Sequence, residues 1–330
     1  MPFVDLPFHH LRQYYTINPS YEPNAQTSIK SEPPAAQEAI DDSKPILVFC
    51  HAATSSSHSF LYQFTDPRMT EALNLVAFDS RYYGYTQGPR LDRFQTLEER
   101  ADEMLEAIEA VIGDRPFSYL GESFVGSHVG IYLAAKRPEK VWPKRLELKI
   151  SASAEQFPIH LPRRPQVKSI ILLSPPPEFA KTLTAEWMPL CASNKDGNGT
   201  GTGEIPGPAL AITELHPDRR RNFLERWQEE QGPGEDMFKL EQLMFWFKRP
   251  LPSDEVFEKI KCPVLLLGGT RDQTVSSSDA LKAWFDLLKN VPPEDLRIER
   301  IVDGPHLLAL LEPNRVNRFI LAFLKRYGLA

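Results

Sequence analysis

Cysteine is scarce in this chain: Cys50, Cys191 and Cys262 are the only three among 330 residues, odd in number and far apart. That spacing fits neither a disulfide framework nor a metal site, and it points to a reducing, cytoplasmic compartment. Long hydrophobic runs are missing too. No stretch of 18 apolar residues occurs, so no segment reads as a membrane span. The start, Met1-Pro2-Phe3-Val4-Asp5-Leu6, has neither a basic region nor a continuous apolar stretch, so no secretory signal is expected. There is no excess of positive charge: the formal net charge is −6, which argues against nucleic acid or anionic membranes as partners. Glycine is modest at 17 while proline reaches 30, a composition of many short elements separated by firm turns. What remains, 42% hydrophobic and 25% charged, is ordinary for a globular protein long enough for one large α/β domain with an inserted subdomain.

Regular patterning begins at Pro45. Ile46-Leu47-Val48-Phe49-Cys50 and Leu75-Val76-Ala77-Phe78 read as fully buried strands. Apolar residues at Leu97, Met104, Leu105, Ile108, Val111 and Ile112 predict an amphipathic helix over 97–112. Further strands are expected at 117–120, 170–173, 264–267 and 298–302, with helices at 127–136, 277–290 and 315–327. Strands alternating with helices imply a doubly wound, mostly parallel sheet. Residues 1–44 form a polar, Pro-rich N-terminal segment in which 11–18 can make an edge strand.

Two segments break the rhythm. Residues 178–255 lack clear strands but carry Trp187, Trp227, Phe238, Phe245, Trp246 and Phe247, and include a Gly-rich tract at 194–207. They are expected to form a helical cap inserted after the sixth strand, leaving a core of 45–177 and 256–330. The second break is 141–166. Deleting Val141 through Gln166 joins Lys140 to Val167 and leaves an ordinary helix-to-strand connection. Every valine codon begins GT and a glutamine codon can be CAG, so the segment reads as a translated intron, with a surface loop as the alternative.

The chemistry concentrates at Gly121-Glu122-Ser123-Phe124-Val125-Gly126, between an apolar run and a helix-favouring one. A serine in a sharp strand-to-helix turn is a candidate nucleophile, but a serine hydroxyl needs a base, and the base an orienting acid. Asp272 lies just past the strand 264–267, and His306 in Asp303-Gly304-Pro305-His306 lies past the next strand. All three fall at strand carboxyl ends, in the order serine, acid, histidine. Other histidines fit less well: His128 reads as a packed or surface residue, His160 lies in the doubtful segment, and His216 precedes a proline in the expected cap. A tetrahedral intermediate also needs backbone donors. Phe124 N–H is one candidate, and Ala53, in the loop after the first buried strand, is the other.

Together these residues resemble the α/β-hydrolase superfamily in its lid-bearing form, from about Pro45 to Leu324. Phe78-Asp79-Ser80-Arg81-Tyr82-Tyr83-Gly84 is similar to the family's Asp-x-Arg-x-x-Gly loop. The resemblance implies Ser123 as nucleophile, His306 as base, Asp272 as orienting acid, and no metal or organic cofactor. Its expected activity is hydrolysis of a carboxylic ester, lactone or thioester of a small apolar substrate. A C–C bond hydrolase or lyase on the same triad, or a non-catalytic ligand-binding protein, are the alternatives. Two positions depart from the family pattern. Val125 stands where the second elbow glycine is usual, which predicts crowding between helix and strand, and Ala52 replaces a glycine in the oxyanion loop.

Overall fold

The computed structural model describes residues 3–19, 39–53, 55–137, 166–175, 242, 245–248, 250–272 and 278–330. Eight strands form one sheet: β1 (Phe3–Leu6), β2 (Leu11–Ile17), β3 (Ile46–Cys50), β4 (Asn74–Phe78), β5 (Phe117–Glu122), β6 (Val167–Leu173), β7 (Val264–Gly269) and β8 (Leu296–Ile301). Their order is β1-β2-β4-β3-β5-β6-β7-β8. The pairings β1–β2 and β2–β4 are antiparallel, and every pairing from β4 to β8 is parallel. The strand expected at the sheet edge, 11–18, is therefore flanked on both sides. Phe3–Leu6 takes the edge instead, in a register that sets Phe3 opposite Tyr14.

The α-helices whose bounds fall among the described residues are α1 (Leu61–Phe64), α2 (Pro67–Ala72), α3 (Leu97–Ile112), α4 (Ser123–Lys136), α5 (Asp254–Glu258), α6 (Ser278–Leu287), α7 (Leu308–Leu311) and α8 (Pro313–Arg326). The short α1, α2 and α7 have no period long enough to read from sequence, and α8 begins two residues earlier than expected, at Pro313.

Side chains alternate across a strand, so each buried strand feeds two cores. Val48, Cys50, Val76, Phe78, Tyr119 and Leu172 pack with the apolar faces of α3 and α4. Leu47, Phe49, Leu75, Ala77, Leu120 and Leu173 pack against residues of α7 and α8 on the other face. Burial of each such Val, Leu or Phe side chain stabilises the fold by about 1.5–3 kcal/mol. The helix α3 starts where its sequence says it should. Thr96 accepts the Glu99 N–H at 3.1 Å while Glu99 accepts the Thr96 N–H at 2.8 Å, a reciprocal capping box.

Between β3 and β5 the strand order reverses: the chain runs outward from β3 to β4, then returns to place β5 on the other side of β3. Such a switch point opens a crevice at the strand carboxyl ends. The turn into Ser123 leaves β5 there, and the loop containing Ala53 leaves β3 beside it, since Cys50 pairs with Gly121. The segment 138–165 and most of the expected cap lie outside the described residues. His160, His216, Trp187, Trp227, Phe238 and Cys191 fall there.

Candidate active site

The strand β5 is buried along its whole length, and α4 begins at the next residue, Ser123. Reversing direction so abruptly forces Ser123 into the left-handed region, φ 59°. For a non-glycine residue this conformation costs roughly 1–2 kcal/mol, which the surrounding packing must overcome. Packing at the turn is backbone against backbone. A Cβ on Gly121 would lie 2.2 Å from the Gly126 carbonyl oxygen, and one on Gly126 would lie 2.7 Å from the Cys50 carbonyl oxygen. The crowding expected at Val125 does not occur, because the closest approach falls one residue later, on Gly126. Val125 is instead 1% exposed within the apolar core on the α3 side of the sheet.

Asp272 and His306 are held by a second glycine contact. A Cβ on Gly269, the last residue of β7, would lie 2.1 Å from the Gly304 carbonyl oxygen in the loop after β8. The two loops are also tied by Arg271 N–H to Gly304 O at 2.9 Å and Asp303 N–H to Thr270 Oγ1 at 2.8 Å. The Ser174 hydroxyl, at the end of β6, donates to the His306 carbonyl at 2.5 Å.

The structure brings the three sequence-predicted side chains together. Ser123 Oγ is 2.9 Å from His306 Nε2, and His306 Nδ1 is 2.8 Å from Asp272 Oδ2. An ionised carboxylate only accepts, so Nδ1 carries the proton, and Nε2 presents its lone pair to the serine hydroxyl. All three residues are buried, at 7% exposure or less. Burial pulls the His306 pKa down, but the charge and hydrogen bond of Asp272, with the nearby Glu122, outweigh it and leave the imidazole above its ordinary value.

Phe124 is the second residue of α4, whose first N–H groups have no partner within the helix. Ala53 sits across the switch point in the loop after β3, partly buried against the apolar core. That loop is latched by His51, whose Nε2 accepts the Ser80 N–H at 3.0 Å while Nδ1–H donates to the Ala52 carbonyl at 2.7 Å. Burial first of all, with some contribution from Arg100, drives the His51 pKa down to about 3, so the ring stays neutral and the latch persists. Asp79, from the motif that carries the family resemblance, accepts Ser57 N–H at 2.7 Å and Tyr85 N–H at 2.8 Å. A side chain on Gly84 would overlap that carboxyl. Arg81 crosses to Glu103 through Nε at 2.9 Å and Nη2 at 2.6 Å.

His128 is buried, as a packed histidine should be. It donates from Nδ1 to Phe124 O at 2.8 Å and lies against the Phe124 and Trp284 rings. Of the expected cap aromatics, Trp246 is fully buried and donates its indole N–H to Gln95 O at 2.6 Å, so it anchors the segment to the loop before α3. Phe247 stands edge-on to Phe124, centroids 5.5 Å apart, and gives the neighbourhood of the serine an aromatic wall. A surface depression of about 360 Å³ lined by Ile46, Phe117 and Lys168 lies at the opposite, amino ends of the strands and takes no part in this site.

Sequence reasoning gave no role to one further residue here. Glu122, between Gly121 and the serine, is 0% exposed, and neither carboxyl oxygen makes a hydrogen bond. Its signal in the sequence is an acidic residue ending an otherwise apolar run.

No protein-family model matches this sequence, and no curated protein does either. Solved structures do. The chain is similar to a thermophilic esterase from Thermogutta terrifontis, with 16% identity, 96% of this chain and 94% of that one covered, and a TM-score of 0.62. It is similar to the enol-lactonase from Burkholderia xenovorans, with 14% identity, coverage of 98% and 100%, and a TM-score of 0.62. MenH from S. aureus superposes with 16% identity, coverage of 94% and 98%, and a TM-score of 0.60. At these identities the likeness is one of fold, and the α/β-hydrolase fold is the fold of this chain.

Proposed function

We propose that this protein is a serine hydrolase that cleaves a carboxylic ester, lactone or thioester through an acyl-enzyme. The observation that carries the reading is the continuous hydrogen-bonded line from Ser123 through His306 to Asp272 at the switch point of the sheet. The Ser123 oxygen attacks the substrate carbonyl as His306 Nε2 takes its proton. Asp272 stabilises the imidazolium without accepting that proton. The N–H groups of Phe124 and Ala53 receive the developing oxyanion. Collapse of the tetrahedral intermediate breaks the bond to the leaving alcohol or thiol, which takes the proton from His306. Water, deprotonated by the same nitrogen, then attacks the acyl carbonyl and frees the acid and Ser123.

The esterase and enol-lactonase among the similar structures agree with this class of reaction. The Phe124 and Phe247 rings favour an apolar group beside the nucleophile, and residues 178–255 are proposed as the cap that selects it. The test is a panel of aryl and alkyl esters, lactones and thioesters, together with labelling by a fluorophosphonate. Turnover of at least one class, an adduct on Ser123 and loss of both in a folded Ser123→Ala variant are expected. Esterase activity surviving in that variant, or no adduct on the wild-type protein, overturns the assignment.

A further inference from the structure

Glu122 ends β5 two residues after Leu120, on the face of the sheet that α7 and α8 cover, and α7 follows His306 almost directly. Its neighbour in β6 is Leu173, and beyond its neighbour strand β3 stands the neutral His51. The Ala309 N–H of α7 approaches the carboxyl without reaching good hydrogen-bond geometry. Among the described residues the one charge that acts on it is His306, itself paired with Asp272. A buried acid with no hydrogen bond is expensive and is not there for stability.

We infer that Glu122 is a positioning residue that acts through His306, a second anion beside Asp272 that stabilises the imidazolium formed during the reaction. The inference rests on the hydrolase reading above. Burial holds the carboxyl up at about 7, against the smaller pull of His306 and Ala309, so near neutral pH it passes between its neutral and charged forms. In its charged form Glu122 raises the affinity of His306 for a proton. Removing that charge makes His306 a weaker base, deprotonated at lower pH.

The experiment compares wild type, Glu122→Gln and Glu122→Asp for the rate of Ser123 phosphonylation against pH, with thermal unfolding measured alongside. In Glu122→Gln the acid limb should move to lower pH, the plateau should fall roughly tenfold, and Tm measured above pH 7 should rise. Glu122→Asp, which keeps the charge, should return the limb toward the wild-type position. A limb unmoved in Glu122→Gln, or a lower Tm with an unmoved limb, makes Glu122 merely structural and overturns the inference. If Glu122→Gln does not fold, Glu122→Met, which removes the buried polar group altogether, is read by the same criteria. Failure of the wild-type protein to react sinks the hydrolase reading instead. The imidazole NMR titration of His306, with and without Glu122, then decides this inference alone.

Discussion

The Tyr119 hydroxyl donates to the Gly126 carbonyl at 2.8 Å, binding the strand before the elbow to the first turn of the helix after it. The tyrosine is fully buried, so this bond closes the backbone contact between Gly121 and Gly126 from the side. Gly126 has ordinary helical φ, and its requirement for glycine is purely steric. Gly126→Ala should therefore cost about 1–3 kcal/mol in urea unfolding and slow phosphonylation of Ser123. Val125→Gly, which restores the usual spacing of the motif, should bring no gain. It removes a buried valine and adds a helical glycine, a loss of roughly 2–3 kcal/mol. An unperturbed Gly126→Ala variant contradicts this account of the turn.

Asp272 fixes the proton on His306 Nδ1. An asparagine there can present its NH₂ group to Nδ1 and favour the opposite tautomer, which turns Nε2 from acceptor into donor toward Ser123. Asp272→Asn should lower kcat by roughly a thousand- to ten-thousandfold with little change in Tm. Steady-state kinetics on whichever ester is turned over, paired with a melting curve, checks both halves.

The pH dependence of stability should carry the mark of Glu122. Its carboxyl is raised from 4.5 to about 7 in the folded protein, chiefly by burial. Between those values the folded state holds a proton that the unfolded chain has released. The contribution is thus fully present below pH 4.5 and is lost as pH rises through 7, by an amount of order 3 kcal/mol. Urea unfolding of wild type and Glu122→Met at pH 4.5 and pH 8 measures it. The variant should gain on the wild type at pH 8 relative to pH 4.5, and an equal difference at both values would contradict the buried, unpaired carboxyl.

The described residues on either side of the segment 141–166, Arg137 and Val167, are bonded to each other. Arg137 O accepts the Val167 N–H at 3.3 Å, and Gln166 O accepts the Phe117 N–H at 2.9 Å. With Val141 through Gln166 removed, Val167 follows Lys140 and stands four residues past Arg137, the spacing of a helical hydrogen bond. The shortened chain should fold, gain roughly 1–2 kcal/mol from the smaller loop, and label at the wild-type rate. We propose the segment as a translated intron; sequencing of the mature transcript tests that directly, and a message that retains the segment refutes it.

The sheet and the serine–histidine–aspartate line were legible because each rests on a local pattern: an apolar run, a turn, then a polar residue at the strand's end. Helix 97–112 was readable to the residue because its apolar period runs over its whole length, and the structure adds the Thr96–Glu99 cap at its start. The edge strand β1 was not, since Phe3–Leu6 is four residues long and mostly half-exposed. Glu122 was visible but carried no meaning, because its isolation depends on α7 closing over it from nearly two hundred residues away. The shift of close approach from Val125 to Gly126 likewise depends on how α4 seats against β3, which no single segment encodes.

The two halves of the Ser123–His306–Asp272 line have different origins along the chain. Asp272 and His306 are separated by 34 residues, whereas Ser123 and His306 are separated by 183. During synthesis from the N-terminus the elbow can fold early, with its hydroxyl already exposed in a strained turn, but the group that would activate it has not yet been made. On the proposed mechanism a nascent chain stays chemically silent until β8 and the loop beyond it have left the ribosome. The serine–histidine–aspartate line is complete only when the sheet has acquired its last strand.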